Sequence, residues 1–311
     1  MRERVHVREV GLRDGIQIVK TMLSTARKLA WCKASATAGI RDIEVTSFVP
    51  AKVVPQFTDA EEVARGALAL GGFTASALVP NLKGAERAFA IGLPLVNYVL
   101  SASEAHNLAN VRRTTDESIA DFSRIVAARD AHPGPRIALG AGIATAFGCT
   151  ISGAVAEARV VAIAEQLAAA GADEIIIADT VGYADPRQVG RLMGKVIAVA
   201  GRLPVGCHFH DTRGLGLANV VAALDAGVRR FDASLAGLGG CPFAPGATGN
   251  INTEDTVYML EQLGFDTGVD VEALVALRRD VENWLPGERF SGAIARAGLP
   301  KTYRARLDAA A

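Results

Sequence analysis

Eight short β-rich runs, a helical pattern between each and the next, and Ala-Gly pairs closing several of those helical stretches predict an α/β fold, a (β/α)8 TIM barrel with additional C-terminal helices. The runs are 5–11, 42–47, 74–79, 95–100, 136–141, 174–178, 204–210 and 231–235, each about as long as a buried parallel strand. Between them, 24–38, 58–70, 115–131 and 152–170 carry apolar residues at three- and four-residue spacing, with Ser or Thr near several starts to cap the first turn. Ala38-Gly39, Ala170-Gly171 and Ala226-Gly227 each place a residue that takes a left-handed C-cap just before the next strand. After Asn250 only helical patterns follow, so residues 251–311 read as helices packed on the barrel, and 1–311 as one catalytic domain. An open doubly wound sheet is the alternative architecture.

The 311 residues, half of them apolar, suffice to bury a large core. Lys plus Arg equals Asp plus Glu at 33 each, which leaves no broad basic field for nucleic acid phosphates. Charges or glycine break every apolar run before the roughly 18 residues that span a bilayer, and the first residues lack an apolar signal core. The expectation is a soluble, cytoplasmic protein with no membrane partner. Cys32, Cys149, Cys207 and Cys241 lie far apart with no CxxC pair and read as reduced thiols. A homodimer is expected only because two-fold pairs are the commonest oligomers.

In such a barrel, chemistry gathers at the C-terminal ends of the strands. The first strand runs into Gly11-Leu12-Arg13-Asp14-Gly15-Ile16-Gln17, which places Arg13 and Asp14 at the mouth, with Arg13 and Gln17 as candidate substrate-binding residues; taken alone, Arg13-Asp14 reads first as a turn with a surface ion pair. The seventh ends in His208-Phe209-His210-Asp211, and strand alternation points both imidazoles the same way, a good arrangement for gripping a metal. Asp14 and the amide oxygen of Asn250 could complete a mixed nitrogen and oxygen set, which suits Mg2+ or Mn2+ better than structural zinc. Glu44 and Asp179 close the second and sixth strands, where a carboxylate orients a ligand or a cation, relays a proton, or caps a helix. After the eighth strand, the glycine-dense stretch 236–250 carries one thiol, Cys241, on a loop that can move or merely connect.

Together these segments resemble the 3-hydroxy-3-methylglutaryl-CoA lyases, within the wider metal-dependent lyase and Claisen-condensing barrel group. The likeness rests on Gly11-Leu12-Arg13-Asp14-Gly15, Ile43-Glu44-Val45-Thr46-Ser47-Phe48-Val49, Pro80-Asn81-Leu82-Lys83-Gly84, His208-Phe209-His210-Asp211-Thr212 and the loop with Gly239-Gly240-Cys241-Pro242. The resemblance implies Asp14, His208, His210 and Asn250 as metal ligands, Arg13 as the stabiliser of negative charge, and Cys241 as a loop-borne acid or base. It also implies Glu44 placing Arg13, Asp179 assisting near the substrate, and an acyl-CoA substrate. The implied reaction is retro-Claisen cleavage, with Asp14, assisted by His208, taking the hydroxyl proton. One stretch departs from the family pattern: Phe147-Gly148-Cys149-Thr150-Ile151 stands where a Cys-Pro-Tyr-like sequence is expected. Citramalyl-CoA or another 3-hydroxyacyl-CoA is therefore a second candidate substrate. An aldolase or Claisen synthase on the same barrel, and a noncatalytic metal- or acyl-CoA-binding protein, are the rival readings. A redox pair between Cys149 and Cys241 is a further expectation from their strand-end positions.

Overall fold

The computed structural model describes residues 2–240 and 249–303. Eight parallel strands close into a barrel in chain order: β1 (His6–Glu9), β2 (Asp42–Ser47), β3 (Thr74–Val79), β4 (Leu95–Ser101), β5 (Ala138–Ala144), β6 (Glu174–Asp179), β7 (Val205–Phe209) and β8 (Arg230–Ala233). The barrel closes where Arg8 of β1 pairs with Asp232 of β8. The expected TIM barrel is thus the observed fold.

The surrounding helices are α1 (Thr25–Thr37), α2 (Ala60–Leu70), α3 (Leu82–Ile91), α4 (Glu104–Val111), α5 (Thr115–Asp130), α6 (Glu157–Ala170), α7 (Pro186–Ala200) and α8 (Gly216–Asp225). Their starts follow local chemistry. Asn81 and Ser103 cap α3 and α4 through their side chains, and Thr114 and Glu117 form a reciprocal capping box on α5. The glycines expected after three of the helices, Gly39, Gly171 and Gly227, all have positive φ. Beyond the barrel, α9 (Thr253–Gln262), α10 (Val271–Trp284) and α11 (Ile294–Ala297) pack back on it, with α10 against α1 and α9. No helix among the described residues is long and apolar enough to cross a membrane.

Several boundaries differ from the sequence reading, for tertiary reasons. The first strand ends at Glu9, and Gly11–Gly15 winds into one turn of π-helix. The helix expected from residue 152 begins at Glu157, because Cys149 and Gly153 exchange two backbone hydrogen bonds of 2.8 Å and tie off a tight turn first. The fifth strand starts at Ala138 and continues to Ala144, paired along that length with β4.

The strand side chains that point outward, such as Ile43, Val45, Ala141, Ile175 and Phe209, are buried under the helices. The inward side is unusually polar. Arg8, Glu44, Asn97, Glu174, His208 and Asp232 are all buried, and glycine at 140, 142 and 206 leaves them room. A Cβ on Gly140 would meet Asn97 Oδ1 inside contact distance and lie 2.9 Å from Glu174 Oε1. The barrel interior is therefore a charge network that rises to the mouth.

Candidate active site and metal centre

The π-turn after β1 brings Arg13 and Asp14 over the barrel mouth. Arg13 Nε donates to Glu44 Oε2 and its Nη1 to Asp14 Oδ1, both as short charge-assisted bonds. Asn97 Nδ2 in turn donates to Glu44 Oε1 at 2.7 Å, so the guanidinium is fixed by a chain that begins on β4. The ion pair that could have been a solvated turn contact is thus buried and built into the site.

Two strands away round the barrel, His208 lies on β7 and His210 one residue beyond its end, where His210 forms a bridge with Asn250. The expected alternation holds: the two Nε2 atoms stand 3.2 Å apart. Asp14 Oδ2 lies 3.8 Å from His208 Nε2 and 3.7 Å from His210 Nε2. Asn250 Nδ2 donates to Asp14 Oδ2 at 2.7 Å and to the Leu238 carbonyl at 3.0 Å. The four residues expected to form one ligand set are brought together from β1, β7 and the return of the β8 loop.

Does this set fit a cation? Among the described residues, Asp14, His208 and His210 present one carboxylate oxygen and two ring nitrogens within 4.8 Å of one another. Asn250 Oδ1 is buried beside them with no hydrogen-bond partner, and a buried amide oxygen without a donor is what a bound cation would satisfy. Hard oxygens with imidazole and no thiolate form a donor set suited to a divalent cation. The residues present fit a divalent metal.

Burial favours the neutral acid at Asp14, but Arg13 and the two imidazoles outweigh it and hold the carboxyl well below its ordinary value. Burial disfavours the charged imidazole of His208, yet the bond to Asp232 and the nearby Asp14 raise its pKa. His208 Nδ1 lies 3.3 Å from Asp232 Oδ2, an outer carboxylate that leaves Nε2 to face the cluster.

A cavity of about 370 Å³ opens on the cluster. Arg13, Asp14, Gln17, Glu44, His208 and His210 line one end of it, and Gly240 reaches it from the β8 loop. Cys241, the next residue, and the rest of 241–248 lie outside the described residues. Asp179 is buried, and its two oxygens accept from the backbone N–H groups of Tyr183 and Ala184 at 2.8 and 3.1 Å, so it holds its own loop. Asp211 likewise accepts from Gly216 N at 2.8 Å, at the start of α8. Cys149 is buried in its tight turn and accepts from Ile151 N at 3.3 Å.

Reading the sequence missed Asp232, Arg8, Asn97 and Glu174. Their signal was available: an ionisable or amide side chain whose place in the strand alternation turns it into the barrel is buried and must be partnered.

A closed parallel barrel whose mouth gathers a carboxylate, two imidazoles, an amide oxygen and a carboxylate-held arginine defines a TIM-barrel enzyme with a candidate metal centre. The HMGL-like family model matches residues 4–281, and the chain belongs to that family. Among curated relatives, a hydroxymethylglutaryl-CoA lyase of Bacillus subtilis is 39% identical, covering 90% of this chain and 93% of its own. An (R)-citramalyl-CoA lyase of Chloroflexus aurantiacus is 41% identical, covering 91% and 90%. Among solved structures, an HMG-CoA lyase from A. baumannii in complex with coenzyme A and 3-methylmalate superposes with a TM-score of 0.90, at 42% identity over 96% of each chain.

Proposed function

We infer that this chain is a carbon–carbon lyase that cleaves 3-hydroxy-3-methylglutaryl-CoA to acetyl-CoA and acetoacetate with Mg2+ or Mn2+. The observation that carries this reading is the convergence of Asp14, His208, His210 and Asn250 beside a buried Arg13 at one end of the cavity. Hydroxymethylglutaryl-CoA lyases that match nearly the whole chain support it. A cation held by these four residues would act as a Lewis acid, lowering the pKa of the substrate's tertiary hydroxyl and fixing its orientation.

The protein's own groups do the rest. The hydroxyl proton leaves toward the Asp14 carboxylate, with His208 assisting beside it, its ring held by Asp232. Breaking the neighbouring C–C bond sends the electron pair toward the thioester, and Arg13 meets the developing oxyanion. Arg13 spends two of its five N–H groups on Glu44 and Asp14, so its plane is preset while other donors stay available to the cavity. Such preorganised charge typically contributes about 3 kcal/mol to a transition state. Gln17 lines the same wall, where it would contact the acyl group of a bound substrate. Cys241, one residue beyond the cavity-lining Gly240, then delivers a proton to the enolate carbon. Homodimerisation and a cytoplasmic location belong to the same proposal and rest on the sequence reading alone.

Cys241→Ala is expected to bind Mn2+ as the parent does while losing at least about 100-fold in turnover. Parent-like rates would remove the thiol from the mechanism. A second reading has its own support: an (R)-citramalyl-CoA lyase is 41% identical, and residues 147–151, after the fifth strand, depart from the expected family pattern. Comparing kcat/KM for acetoacetate release from 3-hydroxy-3-methylglutaryl-CoA with that for citramalyl-CoA cleavage decides between the two substrates.

A further inference from the structure

Below the candidate metal centre lies a cation that the mechanism above does not use. Arg8, only 5% exposed, projects from β1 into the barrel and donates to Glu174 Oε1 of β6 in a short charge-assisted bond. Its Nε stands 3.8 Å from Asp232 Oδ1, on the side of that carboxylate opposite the oxygen facing His208 Nδ1 at 3.3 Å. Glu174 is shared with Arg230 at 3.6 Å, which reaches Asp42 at 3.6 Å, so the chain of charges is anchored across β1, β2, β6 and β8. The missing Cβ at Gly140 leaves Glu174 Oε1 the space from which it meets Arg8.

We propose that Arg8 is a positioning residue for the metal centre: it holds the Asp232 carboxylate in place, and Asp232 then presents His208 to the cation through Nε2. Two observations carry this. Asp232 is buried, so its charge needs a compensating cation, and Arg8 is the guanidinium within reach on its far oxygen. Arg8 in turn is clamped by Glu174, which fixes where that compensation sits. Outer carboxylates of this kind set the tautomer and orientation of a ligating imidazole, and disturbing them typically weakens metal binding by about 10- to 100-fold.

The inference rests on the metal reading of the site, and the test separates the two. Mn2+ binding to metal-free protein is measured by the loss of the free-ion EPR signal, for the parent, Arg8→Lys and the charge-balanced double variant Arg8→Met with Glu174→Gln. Circular dichroism and thermal melting establish that each variant is folded. The double variant is expected to bind Mn2+ about 10- to 100-fold more weakly, with KM for the acyl-CoA at saturating metal within about threefold of the parent. Arg8→Lys, which keeps the charge but shortens the reach, is expected to lose a smaller factor, about two- to tenfold. A folded double variant with parent-like Mn2+ affinity overturns the role of Arg8, and if that variant fails to fold, parent-like affinity in Arg8→Lys does the same. A parent chain that takes up no Mn2+ overturns the metal reading itself.

Discussion

His208 is held between two carboxylates of different duty. Asp14 faces its Nε2 together with His210, while Asp232 faces its Nδ1, so the ring is oriented before any cation arrives. Arg13 shows the same economy: Glu44 and Asp14 take its Nε and Nη1, and Asn97 braces Glu44 from β4. These contacts make the site a matter of single atoms. Asp232→Asn is expected to keep the fold, since the amide is nearly isosteric, yet to weaken Mn2+ binding roughly 10- to 100-fold in calorimetric titration of metal-free protein. Unchanged affinity would mean that His208 is oriented by the backbone of β7 alone.

At the level of the elements, the strands do two jobs at once. Their outward side chains, such as Val45 and Phe209, bind the helices, while the inward positions build a polar column that ends at the mouth. The glycines of β5 make that column possible. With Gly140→Ala, the new methyl would press on Asn97 and Glu174, the residues that brace Glu44 and Arg8. The expected result is a loss of about 1–3 kcal/mol in stability by denaturant titration, together with a fall in kcat larger than any change in KM, because the site's supports shift. A variant with parent-like stability and turnover would show that the column tolerates a methyl at its centre. The boundary shifts at β1 and β7 matter functionally as well. Ending β1 at Glu9 frees Arg13 and Asp14 to curl over the barrel, and ending β7 at Phe209 lets His210 pair with Asn250.

Across the whole molecule, the seam between β1, the β8 loop and α9 is closed by buried carboxylates. Glu9 accepts from Gly11 N, Leu235 N and Thr253 Oγ1 at 2.8, 2.9 and 2.6 Å, and Glu254 accepts from Ala236 N and from Arg278 of α10. Ala236 adopts a left-handed φ of 60°, a conformation that the two carboxylates help to maintain. Burial pushes both acids up to about 7 from an ordinary 4.5. A pKa raised by folding contributes stability that is fully present below the unfolded value and disappears as pH rises through the folded one. The metal-free protein is therefore expected to lose stability between pH 4.5 and about 7 through these groups, while Asp14 and Asp232, whose values are lowered from 3.8, change their contribution only below that window. Glu9→Gln keeps the acceptor for the two amides and removes the ionisation, so its melting temperature should fall less than the parent's across that range, by the equivalent of roughly 1–3 kcal/mol. Identical pH profiles would show that Glu9 does not titrate in this window.

The eight-strand order, the outer helices with their glycine stops, and the residue types of the candidate metal set could all be read without coordinates. Each follows from local rules: period-two and period-3.6 patterning, capping chemistry, and the placement of polar residues at strand ends. Asp14, His208, His210 and Asn250 were legible for that reason, and so was Glu44 beside Arg13. Asp232, Arg8, Asn97 and Glu174 were not, because their partners lie on other strands and only the closed barrel brings them into contact. Asp179 and Asp211 stand at strand ends like the others, but their carboxylates turn back to nearby backbone N–H groups. The chain spells out which chemical groups reach the barrel mouth. Closure of the sheet fixes which of them face one another, because ion pairing and metal ligation depend on separations of a few ångströms between residues far apart in sequence.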